Sequence, residues 1–198
     1  MKFRAVAMIA VAASLSGCGV NSVPTAEENA KARWADVQAA YQRRADTIPN
    51  VVATVKGSAA SEGKILTDVI NARANATRVQ VNANDLTDPA KVAAFQSAQG
   101  QLGASLGRLL ATVEAYPQLQ SQQNFRELIS EIEGSNNRIT IAIRDYNTAV
   151  QAYNTRIRTF PDAIGAKVFY GAKPMVPFQA EAGAQKNPDV GSMMGNMN

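Results

Sequence analysis

A chain of 198 residues is long enough for one domain with a substantial core. With 18% charged residues, few aromatics and abundant alanine, it favours helices over a β-sandwich. It has no histidine and one cysteine, which excludes the commonest general base, an intrachain disulfide and a thiolate metal cluster.

Met1-Lys2-Phe3-Arg4 is a short positive segment, and Ala5 to Leu15 is an apolar run of eleven residues. That is the length of a signal-peptide core and well short of the roughly 20 residues a bilayer span needs. Leu15-Ser16-Gly17-Cys18 follows: an apolar branched residue, two small residues, then the one cysteine. The small residues fit a peptidase cleft, and the cysteine sulfur is placed to take a diacylglyceryl group. The expectation is a bacterial lipoprotein, with a signal peptide over 1–17 and a lipidated cysteine and tether over 18–25. Cleavage removes Lys2 and Arg4, leaving 18 basic against 16 acidic residues, so no nucleic-acid partner is expected. Each buried CH₂ of an acyl chain contributes about 0.8 kcal/mol, so two or three chains anchor firmly. Gly19 is not the aspartate that commonly retains lipoproteins in the inner membrane. In a Gram-negative cell the expectation is therefore the periplasmic side of the outer membrane, with the inner membrane left open.

Pro24-Thr25 opens the helical signal, with Thr25 and Glu28 at capping-box spacing. Trp34, Val37, Tyr41, Ala45 and Ile48 recur at steps of three and four, which predicts a helix over 26–47. Pro49 lacks an N–H and disfavours a helical Ile48, so a turn or sharp bend is expected there. Val51, Val55, Ile65, Val69, Ala72, Ala76 and Val79 predict a second helix over 50–82. Asn82 to Asp88 is a polar loop, and Asp88-Pro89 starts a third helix, over 89–116.

That helix carries heptad rows, with Val92, Gln99, Leu106 and Val113 in one and Phe95, Leu102, Leu109 and Tyr116 in the other. A fourth, over 121–159, carries Phe125, Ile132, Ile139, Tyr146, Tyr153 and Phe160 in one row. Ile129, Asn136, Ile143, Val150 and Ile157 form its other row. Asn136 amid isoleucines reads as a register-fixing core polar group, set against a loosely packed, hydrated layer. Tyr146-Asn147-Thr148 recurs seven residues on as Tyr153-Asn154-Thr155, and Pro161 ends the pattern. Sustained heptads imply an all-α antiparallel up-and-down four-helix bundle with a long last helix. They also leave a homo-oligomer open. Ile164, Val168, Phe169 and Phe178 suit a short C-terminal docking segment, and 181–198 reads as a disordered tail.

Three stretches together resemble the LemA family of bacterial membrane-associated helical proteins. They are Tyr41-Gln42-Arg43-Arg44-Ala45-Asp46-Thr47-Ile48-Pro49-Asn50-Val51-Val52-Ala53-Thr54-Val55-Lys56-Gly57, then Tyr116-Pro117 with Asn124-Phe125 and Glu133, then Asp145-Tyr146-Asn147, Tyr153-Asn154 and Phe160-Pro161. The resemblance covers roughly 27–180 and implies a helical domain over 26–180. Many members have an uncleaved apolar anchor, which this chain replaces with a lipobox. The family often has histidine before the acid at Glu62, where this chain has Ser61. The resemblance implies a non-catalytic helical bundle on the outer side of a membrane, with no cofactor and no metal.

The reading that follows is a membrane-anchored envelope lipoprotein acting as a scaffold or interaction module. It is held by membrane lipid through acylated Cys18 and engages an unknown envelope protein. The alternative is an accessory subunit or a hydrolase-like enzyme using an unrecognised carboxylate site. Arg43, Arg44 and Lys56 are the candidate interaction face, set against a plain solvated helix surface. Glu62 and Arg73 are a candidate buried pair, set against partial exposure at the edge of the apolar stripe. Asp46, Glu62 and Glu133 do not form a carboxylate pair that spacing justifies.

Overall fold

A computed structural model describes residues 21–57, 63–114 and 116–179. The signal peptide, Cys18, Ser61, Glu62 and the tail over 181–198 lie outside the described residues. The described chain is helical, with no strand. Its elements are α1 (Ser22–Lys56), α2 (Gly63–Arg78), a 3₁₀ turn (Ala83–Asp85), α3 (Pro89–Glu114), α4 (Pro117–Gln120), α5 (Gln123–Arg156) and α6 (Asp162–Val168). The third and fourth expected helices match α3 and α5 to within a few residues.

The break expected at Pro49 is not there: α1 runs through it without interruption. Pro49 withholds the N–H that would bond the carbonyl of Ala45, four residues earlier. Arg73 of α2 supplies the missing donor, its Nε donating to the Ala45 carbonyl oxygen at 2.7 Å. A guanidinium from the neighbouring helix thus satisfies the acceptor that proline leaves open, and the exposed proline ring costs the core nothing. The chain leaves the helix at Gly57 instead, where Gly57, Ser58, Ser61 and Gly63 cluster in sequence. The lengths now match: 35 residues of α1 and 34 of α5 are each about 52 Å at 1.5 Å per residue.

The start of α1 also differs from expectation. Ser22 and buried Val23 are already helical, so the tether ends sooner than residue 25. Pro24 sits in the first turn, where its missing N–H has no intrahelical partner to lose. Thr25 makes no capping box; its Oγ1 donates to the Asn21 carbonyl at 2.7 Å. Asp88 does cap α3, its Oδ1 accepting from the N–H of Ala90 at 2.9 Å and of Lys91 at 3.3 Å.

Two pairings build the interior: α1 lies along α5, and α2 along α3. On α1 and α5, Trp34 meets Tyr146 while Thr47 meets Glu131. On α1 and α2, Gln38 reaches Val81 just past α2, while Ala45 meets Arg73. The buried side chains form two apolar clusters. One holds Val23, Trp34, Tyr41, Phe95, Tyr146 and Met175; the other holds Ile48, Val55, Leu66, Leu102, Leu109 and Phe125. Between them lies a polar layer. Buried Arg44 donates from Nη2 to the Gln99 carbonyl at 3.1 Å and to Gln99 Oε1 at 3.0 Å. Gln99 Nε2 in turn donates to the Ala76 carbonyl at 3.2 Å. Arg44 also stacks its guanidinium 5.0 Å from the Tyr41 ring centre.

Asn136 is not in the core. Its row is half-buried at best except for Val150, and Asn136 itself is exposed. The row one residue earlier, Ser135, Ala142 and Ala149, is buried instead. Small side chains let α5 approach α1 closely, and Ala142 borders the same shallow cleft as Ala39 and Ala40. Bulk hydrophobicity favours the isoleucine row; close helix contact favours the small one. The core polar group is Gln99 of α3, clasped by Arg44. Phe160, expected to close the other row, lies past the end of α5 and is 82% exposed.

Candidate functional site

The repeated Tyr-Asn pair on α5 clasps the chain's own C-terminal segment. Asn154 Nδ2 donates to the Met175 carbonyl at 2.8 Å, and the Met175 N–H donates back to Asn154 Oδ1 at 2.9 Å. One heptad earlier, Asn147 does the same with Phe178, at 2.9 Å and 2.7 Å. The tyrosine hydroxyls donate to two further carbonyls of the segment, Tyr146 to Val176 at 2.9 Å, between the two clasps, and Tyr153 to Lys173 at 3.1 Å, two residues before the first. The periods agree physically. Seven helical residues rise about 10.5 Å, and three extended residues span about 10 Å. An asparagine every seven residues therefore meets a backbone amide every three.

The clasped segment, 173–178, also donates from the Val176 N–H to the Leu86 carbonyl at 2.8 Å. It drives Met175 into the core and Phe178 against Trp34, Tyr41 and Phe95, at ring-centre distances of 6.1–6.5 Å. Burial raises both hydroxyl pKa values above the ordinary tyrosine value, Tyr146 more strongly than Tyr153. Both tyrosines are core, as their spacing predicted, and their polar ends go to backbone.

The candidate basic face does not survive intact. Arg43 is exposed, beside Asp36, Arg138 and Asp145 around the α1–α5 cleft. Arg44 is buried and bonded to Gln99, which removes it from any surface. Lys56 is exposed in the last turn of α1, thirteen residues and about 20 Å along the helix from Arg43. The three do not form one patch. The adjacency of Arg43 and Arg44 hides opposite fates, because successive helical residues point about 100° apart.

The carboxylates go to different neighbours. Asp46 accepts from Gln42 Nε2 at 2.7 Å on its own helix. Glu131 accepts from Thr47 Oγ1 at 3.1 Å. Glu133 borders an open cleft of about 450 Å³ between α3 and α5, with Leu110, Val113, Phe125, Arg126 and Ile129. Arg73 serves the Ala45 carbonyl, while its expected partner Glu62 is outside the described residues. No cluster of three metal-ligating side chains occurs among the described residues.

Sequence reasoning missed three contributors. Arg73's service to Pro49 has a signal only in retrospect, a buried-stripe arginine facing a helical proline. Trp34 Nε1 and Gln38 Nε2 both donate to the Val81 carbonyl, at 2.8 and 3.1 Å, pinning the α2–α3 loop to α1. Met175 gave no periodic signal, since extended strap residues have no helical stripe.

A model of the LemA family matches residues 33–191. The chain is 26% identical over 157 residues to magnetosome protein MamQ 2 of Paramagnetospirillum magneticum, covering 71% of this chain and 58% of that protein. It is 25% identical over 157 residues to magnetosome protein MamQ of Magnetospirillum gryphiswaldense, with the same coverage. It is 25% identical over 124 residues to protein LemA of Metamycoplasma hominis, covering 63% of this chain and 52% of that protein. The chain thus spans between 52% and 58% of the length of these relatives. Among the described residues, no helix is long and apolar enough to cross a membrane.

Proposed function

As the chain belongs to the LemA family, we propose that it is a non-catalytic lipoprotein of the bacterial cell envelope, anchored through acylated Cys18 and presenting a rigid helical scaffold to an envelope protein. In this reading α1, α2, α3 and α5 form an antiparallel up-and-down bundle. The crossing contacts support it: positions ascend along α1 as they descend along α2 and α5.

One observation carries the scaffold reading. Six polar side chains of the recognised motifs and of α2 are committed to backbone or core partners: Arg44, Arg73, Tyr146, Asn147, Tyr153 and Asn154. Such groups fix a shape. Membership of the LemA family supports placement at a membrane surface here.

The test has two parts. Cys18→Ser should abolish incorporation of a palmitate analogue and release the chain from the membrane fraction. In-cell crosslinking of the wild-type chain should recover one envelope partner, lost in Cys18→Ser. Equal label in both chains sinks the anchor. Turnover by the purified chain, lost on substituting one carboxylate, sinks the non-catalytic reading.

A further inference from the structure

Large exposed apolar side chains are not scattered over this molecule. Among the described residues there are seven, and five of them fall between Phe160 and Tyr170. Phe160 is 82% exposed, Ile164 57%, Val168 68% and Phe169 70%. The short helix α6 is itself docked, with Ala166 buried in the cluster that holds Val23 and Tyr153. One face of α6 is therefore committed to the bundle. Ile164 and Val168, one turn apart, share a face that points away from it. An apolar patch rimmed by polar residues on an otherwise charged surface marks a place where something binds.

Two observations say what binds there. The first is position. α6 packs against α1, and Val23 at the start of α1 shares its cluster. Ser22 is four residues past Cys18, a span of at most about 14 Å even fully extended. The patch thus lies at the end of the bundle that an acyl chain on Cys18 would hold against the bilayer. The second is charge. Between residues 157 and 179 there are three basic residues, Arg158, Lys167 and Lys173, and one acid, Asp162. Asp162 lies 3.5 Å from Arg156, so its charge is offset locally. Glu27 and Glu28, near the same end, are both engaged by Lys31 at 2.8 Å. Aromatic and aliphatic side chains beside basic ones are the composition of a segment that lies in the headgroup region of an anionic bilayer.

We propose that residues 160–170 are a second membrane contact: Phe160, Ile164, Val168 and Phe169 insert among the acyl chains, with Arg158, Lys167 and Lys173 on anionic headgroups. This rests on the lipoprotein reading above for its choice of membrane. Its consequence is orientation. An acyl chain alone leaves the bundle free to swivel on its tether, and a second contact about the same end stands α1 and α5 away from the surface, with Lys56 and the α3–α5 cleft outward.

The experiment uses the mature chain purified from its own membranes and reconstituted in vesicles of brominated phosphatidylglycerol and phosphatidylethanolamine. Trp34, the one tryptophan, is buried at 1% exposure and gives the unquenched baseline. Val168→Trp adds an indole in the patch. Ile70→Trp adds one at another exposed apolar site, on α2, where neighbouring Arg73 meets Ala45, about 35 Å along α1 from Ser22. Bromolipid should quench at least half of the added emission in Val168→Trp and none in Ile70→Trp. Phe160→Ser with Phe169→Ser should abolish that quenching, with far-UV circular dichroism unchanged because both rings are exposed.

Quenching no greater than wild type in Val168→Trp, or equal quenching at both sites, overturns the proposal. So does equal quenching in purely zwitterionic vesicles. An emission shift in Val168→Trp that follows protein concentration without vesicles assigns the patch to a second copy and also overturns it. Intact mass of the N-terminus reads the anchor separately. An unmodified terminus with quenching at position 168 refutes acylation alone, and an acylated chain without quenching refutes the patch alone.

Discussion

Arg73→Met removes the donor that stands in for the missing N–H of Pro49, and its cost should depend on whether the proline is there. The bond is short, at 2.7 Å, and its acceptor belongs to Ala45, which is 3% exposed. Hydrogen bonds from a charged group contribute about 1.5–3 kcal/mol, and a buried carbonyl left without a donor costs a similar amount. Methionine keeps the apolar stem, so the expected loss is about 2 kcal/mol from the bond itself. Pro49→Ala restores an N–H to the helix. An interior proline is about 3 kcal/mol worse than alanine, but Arg73 already replaces part of that deficit, so the gain should be about 1–2 kcal/mol. In the Pro49→Ala background the regained N–H serves Ala45, and Arg73→Met should then cost less than about 1 kcal/mol. The coupling of about 1.5 kcal/mol exceeds the roughly 0.5 kcal/mol scatter of independent sites. Urea unfolding of the four chains, with equal slopes, measures it. Additivity within that scatter would show that Arg73 merely packs beside the proline and would refute the account of how α1 passes through it.

Asn147→Ala and Asn154→Ala each remove two hydrogen bonds to the strap, about 2 kcal/mol apiece. Hydrogen exchange at the Met175 and Phe178 amides should rise at least tenfold in either variant; unchanged protection would disprove the clasp. Arg43→Glu should leave stability within about 0.5 kcal/mol, as exposed substitutions do. Arg44→Met should cost about 1–3 kcal/mol by stranding Gln99 Oε1, so equal midpoints for the two variants in denaturant would contradict the buried layer. Burial raises the Tyr146 hydroxyl pKa above its unfolded value of 10.0, so the folded state holds its proton when the unfolded state has lost it. That stabilisation is complete below pH 10 and declines as the pH rises toward the folded value. Tyr146→Phe should therefore start about 1 kcal/mol less stable, for want of the bond to Val176, and lose stability more slowly above pH 10. Parallel pH profiles would count against this.

Much of the fold was legible from local pattern. Asp88-Pro89 fixed the start of α3 because a carboxylate cap and a proline in the first turn act within one turn of chain. The row Phe125, Ile132, Ile139, Tyr146 and Tyr153 is buried as its period required, and Gln99 sits in the core position its heptad assigned. The repeat Tyr146-Asn147 and Tyr153-Asn154 was visible as a repeat, but its partner was not. An extended strap offers only backbone, and backbone carries no side-chain signature.

What tertiary structure decided was every question in which one segment supplies what another lacks. Pro49 stops a helix on local grounds, and Arg73, 24 residues away, lets it continue. Asn136 and Ser135 are equal candidates on the helix surface until α1 approaches, and closeness then selects the smaller side chain. Arg43 and Arg44 are alike in sequence, yet only Arg44 finds Gln99 across the bundle. Phe160 held a heptad position and Val168 belonged to an expected docking segment, but α5 ends before Phe160 and α6 docks through Ala166, which leaves both bare. Sequence fixes which groups need partners, through propensity, period and capping over a turn or two. Which partners they find depends on contacts between distant segments, and those exist only once the helices have packed.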